Sequence, residues 1–286
     1  MIFEETYTLS NGVNIPKLGF GTWFIEDDQA AESVRQAITI GYRHIDTAQA
    51  YDNERGVGEG VRTCGIPREQ IFVTSKVAAE NKSYQSAMDS IEETLQKMGL
   101  DYLDLMIIHS PQPWAEWRGE NRYFEENREV WRALEDAYNA GKLKAIGVSN
   151  FLQDDLEILL SSCRIRPMVN QILVHIGNTP VSLIEYCRSQ NIQVESYSPI
   201  GHGQILQNPL VVETAAKYHV SPAQLCVRYA IQMETAALPK TGSPDHMREN
   251  AALDFTISNA DMDALMRLSF EDTYGEFSVF PVFSRK

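Results

Sequence analysis

No apolar run in this sequence approaches the roughly 20 residues that a membrane-crossing helix needs. The opening MIFEETYTLS carries two acids where a secretory leader has a basic start. A cytoplasmic protein is the expectation. Basic residues are scarce, 25 Lys and Arg against 39 Asp and Glu, for a formal charge of −14. A field of that sign repels phosphate backbones and anionic lipid, so neither nucleic acid nor a membrane is an expected partner. Cysteine is also sparse. Cys64, Cys163, Cys187 and Cys226 show no Cys-x-x-Cys pair and no short spacing to histidine, so reduced, mostly buried thiols are expected and no metal site. No short repeat, low-complexity stretch or linker divides the 286 residues, which predicts one domain over residues 1–286. With 43% hydrophobic and 22% charged residues, the chain has the means to bury a large core.

What the chain does have is alternation. Asn11-Gly12 between two β-prone runs signals a tight hairpin turn near the start. After it come eight short apolar or β-branched runs: 18–21, 44–47, 71–75, 103–109, 145–149, 168–171, 193–198 and 236–239. Amphipathic stretches separate them. One begins after Ser83, a good helix cap, with Ala87, Ile91, Leu95 and Met98 on one face. Regular strand–helix alternation implies parallel strands joined by right-handed crossovers. Eight units in this length favour a closed (β/α)8 TIM barrel with an N-terminal β-hairpin, although a doubly wound sheet shares the pattern.

In a barrel, chemistry belongs at the C-terminal ends of the strands. Asp46 closes the second predicted strand, Lys76 directly follows the third, and His109 ends the fourth, with Tyr51 in the loop after Asp46. Singly, each has a plain structural reading: a helix cap, a solvated cation, a packed ring. Together they describe a phenol made to donate a proton. A nearby ammonium favours phenolate, a carboxylate holds the ammonium, and an imidazole orients a carbonyl. Trp23 and Trp114, with Tyr51 and His109, would shape an aromatic substrate pocket. The irregular segment 111–123 and the C-terminal tail are candidate substrate loops.

The stretch Gly41-Tyr-Arg-His-Ile-Asp-Thr-Ala-Gln-Ala-Tyr51-Asp-Asn-Glu-Arg-Gly-Val-Gly58 resembles the aldo-keto reductase signature, and the similarity continues through Gly19-Phe-Gly-Thr-Trp23, Val73-Thr-Ser-Lys76, Gly147-Val-Ser-Asn150, Asn170-Gln171, Tyr197-Ser-Pro199 and Pro239-Lys240. The resemblance implies carbonyl reduction to an alcohol with NADPH bound in extended form, without a Gly-x-Gly-x-x-Gly loop, which this chain indeed lacks. It implies Tyr51 as general acid, Lys76 and Asp46 as its tuning pair, and His109 as the residue that orients the carbonyl. It also implies that Ser149, Asn150 and Gln171 hold the nicotinamide carboxamide and that Tyr197 stacks on the ring. Thr22, Ser198 and Ile200 would add ribose and phosphate contacts, with Asp46, Lys240, Thr241, His246 and Asn250 completing the cofactor set.

Two departures stand out. The segment Asn170-Gln-Ile-Leu173-Val-His175-Ile176 lacks the family's usual Glu and Pro, a change expected in the barrel wall. His246 stands where the family has an arginine to grip the 2′-phosphate, which leaves NADH as an alternative cofactor, with Lys240, Thr241 and Arg248 still favouring NADPH. Two other functions share parts of this pattern: a cofactor-binding module without catalysis, and a lyase using Lys76 as a Schiff-base amine. The expected partner is a small carbonyl compound, and the expected assembly a monomer or weak homo-oligomer.

Overall fold

The computed structural model describes residues 1–269 and 273–284. It opens with an antiparallel hairpin, β1 (Thr6–Thr8) and β2 (Asn14–Pro16), with Thr6 opposite Pro16. The turn is wider than a two-residue Asn-Gly turn. The Gly12 N–H donates to Leu9 O at 2.8 Å, and Gly12 itself takes a left-handed φ of 88°, which glycine adopts without steric cost.

Eight parallel strands follow, each hydrogen-bonded to the next in chain order: β3 (Phe20–Gly21), β4 (His44–Asp46), β5 (Phe72–Val77), β6 (Leu105–Ile108), β7 (Ile146–Ser149), β8 (Val169–Leu173), β9 (Gln193–Tyr197) and β10 (Ala236–Leu238). The last strand then meets the first. Leu18 bridges Ala237 and Gly21 bridges Lys240, both parallel, and the Ala237 N–H donates to Lys17 O at 2.8 Å. The sheet is therefore a barrel, not a doubly wound layer. Each strand lies within two residues of its predicted run. One boundary matters for the site: β5 continues to Val77, so Lys76 lies inside the strand rather than after it.

Helices cover the outside: α1 (Asp27–Ile40), α2 (Glu54–Thr63), α3 (Tyr84–Met98), α4 (Phe124–Asn139), α5 (Gln153–Leu160), α6 (Val181–Ser189), α7 (Pro209–Lys217), α8 (Pro222–Gln232), α9 (Pro244–Ala251) and α10 (Asn259–Met266). Ser83 caps α3 as expected, its hydroxyl accepting from the Ser86 N–H at 3.2 Å, and Ala87, Ile91, Leu95 and Met98 are buried. Two glycines of the signature segment explain how α2 fits between its neighbours. A Cβ on Gly56 would meet Asp27 O at 2.1 Å, and one on Gly58 would meet Met98 O at 2.2 Å. Strand residues are buried on both faces, as in β6, where Leu-Met-Ile-Ile has no exposure. No helix among the described residues is long and apolar enough to cross a membrane.

Candidate active site

A cavity of about 570 Å³ opens at the C-terminal ends of the strands, a size typical of small-molecule sites. Asp46, Tyr51 and His109 line its floor, and Lys76 lies just beneath. Asp46 pairs with Thr74 in the β4–β5 register, so Lys76, two residues further, projects from the same face of β5. Its Nζ is 2.6 Å from Asp46 Oδ1, 2.7 Å from Thr47 O and 3.4 Å from the Tyr51 hydroxyl. Tyr51 ends a short 3-10 turn, Gln49–Tyr51, that Gln49 ties down. The Gln49 Oε1 accepts from the Ala78 N–H at 2.8 Å, while its Nε2 donates to Ser90 O and Thr94 Oγ1, both at 3.0 Å. His109 stands edge-on to Tyr51 at 5.7 Å and to Trp114 at 5.1 Å between ring centroids. The four residues expected to carry the chemistry are thus neighbours.

Burial sets the electrostatics. Desolvation pushes the Tyr51 phenol above its ordinary value, Lys76 pulls it down, and Asp46 pushes it up. The net lowering expected from Lys76 is therefore outweighed by burial, although the pull itself is present. For Lys76, burial opposes the charge, but Asp46 and then Tyr51 overcome it and hold the ammonium charged. A charged amine cannot attack a carbonyl, which removes support from the Schiff-base reading. His109 is held well below its usual value, by burial first and Lys76 second, and is a neutral ring able to donate one hydrogen bond.

A hydrogen-bonded rim extends from His109. Ser149, at the end of β7, donates to Gln171 O at 2.8 Å. Asn150 has a left-handed backbone, φ 63°, and its Nδ2 donates to His109 O at 3.1 Å and Ser149 Oγ at 3.0 Å. Its Oδ1 accepts from the Tyr197 hydroxyl at 2.7 Å. Asn150 does not cap α5, which starts after Leu152. Gln171 Nε2 donates across the barrel to Asp46 Oδ2 at 2.8 Å and to Glu195 Oε2 at 3.1 Å. Sequence reasoning does not single out Glu195, although an acid within a buried strand is an unusual residue choice.

Tyr197, Ser198, Ile200 and Lys240 carry the cavity wall onward. Desolvation disfavours the Lys240 ammonium, and among the described residues no carboxylate offsets it. An exposed cation at the edge of the cavity suits a phosphate. Thr22, Thr241, His246 and Asn250 are not in the wall. Thr22 is buried, its hydroxyl donating to Asp46 O at 2.9 Å. Thr241 Oγ1 lies 3.5 Å from His246 Nδ1 near the start of α9, and Arg248 turns toward Asp245 at 3.0 Å.

The opposite wall is aromatic. Trp23 and Phe24 come from the loop after β3, Trp114 from the 111–123 segment, and Phe277, Phe280 and Phe283 from the C-terminal tail. Phe283 is buried against Trp23 at 6.0 Å and His202 at 4.4 Å. Tyr274 anchors this tail, its hydroxyl 2.8 Å from the ring of buried His175. The departure at His175 therefore touches the tail as well as the barrel wall. Residues 270–272 and 285–286 of the tail lie outside the described residues. His202 and the individual tail phenylalanines have no local motif that would announce them.

The family model described as "Aldo/keto reductase family" matches residues 17–269. A glyoxal reductase from Bacillus subtilis (strain 168) is 41% identical over 95% of this chain and 95% of its own. The crystal structure of an aldo/keto reductase from Brucella melitensis superposes with a TM-score of 0.86 at 36% identity, covering 93% of this chain and 99% of that one. The Bombyx mori aldo-keto reductase in complex with NADP superposes with a TM-score of 0.85 at 30% identity, covering 96% of each chain.

Proposed function

Because this chain belongs to the aldo/keto reductase family, we propose that it uses NADPH to reduce neutral, apolar aldehydes or ketones, with Tyr51 as the general acid. The contact of Lys76 with both Asp46 and Tyr51 at the floor of an aromatic cavity carries this reading. When bound, NADPH would supply the hydride that the carbonyl carbon takes up. The chain's own groups do the rest. Tyr51 passes its proton to the carbonyl oxygen, and the Lys76 ammonium stabilises the phenolate left behind. Asp46 fixes that ammonium in place. Neutral His109 donates to the same oxygen, and its ring, hemmed by Tyr51 and Trp114, sets the direction of approach. Trp23 and Trp114 confine an apolar substrate.

Ser149, Asn150 and Gln171 hold the carboxamide, and Tyr197 offers its ring face to the nicotinamide. Ser198, Ile200 and Lys240 follow the ribose and phosphates, and Thr22 acts through the Asp46 backbone. Thr241, His246 and Asn250 take the adenosine end. The NADP complex of the Bombyx mori relative supports NADPH; histidine at position 246 keeps NADH as the alternative. A spectrophotometric panel of aryl, aliphatic and sugar carbonyls, run with NADPH and NADH in parallel, tests the reading. Consumption of reduced cofactor with aryl aldehydes is expected. No turnover with any carbonyl refutes it.

A further inference from the structure

Glu195 is a fully buried acid that the proposed reaction leaves unused. It sits on β9 in register with Gln171 on β8, so the two side chains share one face of the sheet, and the Gln171 bond to Asp46 shows that face to be the barrel interior. A single amide nitrogen, Gln171 Nε2, donates to both Asp46 and Glu195. The other groups around Glu195 come from three strands. His44 on β4 lies 3.6 Å from Glu195 Oε1 and 3.0 Å from Thr74 Oγ1 of β5. Asp46 on β4 and Lys76 on β5 are the facing charges. The register partner on β10 is Ala236, which brings none.

His44 supplies no countercharge, because burial first and Lys76 second hold it down to about 3. Among the described residues Lys76 is therefore the one cation facing two buried carboxyl groups, and Asp46 already holds it at 2.6 Å. A second carboxylate in this layer would be an uncompensated buried charge, which is strongly unfavourable. Burial foremost, and the Asp46 charge next, push Glu195 up to about 8.

We infer that Glu195 is a positioning residue: as a neutral acid it gives Gln171 a second acceptor while leaving Lys76 and Asp46 a balanced pair, so that losing its proton weakens Tyr51 as an acid. The inference rests on Tyr51 being the general acid. Reduction turns that phenol into a phenolate beside Lys76. When Glu195 has released its proton to solvent, one more negative charge in the same desolvated layer opposes phenolate formation.

Two measurements on the full chain test this. The first is the pH–rate profile of reduction. Wild-type turnover should fall about tenfold or more as pH rises through about 8. E195L, which removes the acceptor, should be slow at every pH. E195Q offers Gln171 an uncharged carbonyl, so it should turn over faster than E195L and lose the alkaline fall. An alkaline fall in E195Q equal to that of wild type overturns the inference. The second measurement needs no turnover: an infrared titration of the protein without substrate. A protonated-carboxyl band should persist at neutral pH, vanish through about pH 8 and be absent from E195Q. Absence of that band from wild type at pH 7 overturns the inference even if neither variant folds. If no carbonyl is reduced, the positioning role falls with the reaction, and the infrared titration still decides whether Glu195 is neutral.

Discussion

Replacing Lys76 with methionine keeps most of the side-chain volume and removes its charge. In the wild type this nitrogen is wholly buried and satisfies Asp46 Oδ1, Thr47 O and the Tyr51 hydroxyl. Taking away one partner of a buried ion pair costs about 3–5 kcal/mol, because the surviving charge is left uncompensated. Asp46 keeps one bond, from Gln171 at 2.8 Å, which argues for the lower half of that range. Against a typical total of roughly 5–15 kcal/mol the loss is large but survivable. Urea unfolding at neutral pH should therefore show Lys76→Met destabilised by about 3–4 kcal/mol. Its turnover should fall and its pH profile move upward as the phenol loses its neighbouring cation. The decisive comparison is Asp46→Asn combined with Lys76→Met. With no orphaned carboxylate, the double variant should recover about 1–3 kcal/mol relative to the sum of the single losses. Strict additivity, or a Lys76→Met loss under about 1 kcal/mol, would refute a coupled, charged pair at this position.

Tyr51→Phe should lower reduction by about 10² to 10⁴ while cofactor dissociation constants, read from tryptophan fluorescence quenching, hold nearly constant. Wild-type-like rates would remove Tyr51 from the mechanism. His246→Arg should raise the NADPH/NADH affinity ratio by about one to two powers of ten, toward the lower end because this position is exposed. A ratio that does not move places the 2′-phosphate beyond the reach of residue 246. Glu195→Gln should change the pH dependence of stability. An acid whose folded value is raised to about 8 gives stability that is complete below its unfolded value near 4.5 and is lost as pH rises toward 8. Urea titrations should then show the variant gaining on wild type by about 1.4 kcal/mol per pH unit between pH 5 and 8; parallel curves would mean that Glu195 is already ionised.

The barrel was legible because each strand is a short apolar run with a helical pattern after it, and the order of the sheet follows from that alternation. The floor of the site was legible for a different reason: Asp46, Lys76 and His109 are polar residues at the ends of apolar runs, where burial makes polar side chains costly unless they have work. Two things escaped. Lys76 lies within β5, since strand ends depend on hydrogen bonds to the neighbouring strand that local sequence does not encode. The sign of the Tyr51 shift depends on total desolvation, which only the packed cavity determines. The aromatic tail is a third case. Phe277, Phe280 and Phe283 meet Trp23 more than 250 positions away, and no periodicity links them.

Barrel closure joins Leu18 to Ala237 and Gly21 to Lys240, contacts about 220 residues apart in the chain. During synthesis β3 has no neighbour on that side until β10 has emerged, and contacts of such separation form slowly. The bond from Gln171 to Asp46 spans the barrel interior, so it forms only when the ring is shut. That tie is thus made in the closing step itself, whereas the Lys76–Asp46 pair needs only the neighbouring strands β4 and β5. A chain that stops short of Ala236 ends as an open sheet with β3 and β9 as bare edges, templates for pairing with other unfinished chains. Truncation would then show itself as aggregation before it showed itself as lost chemistry.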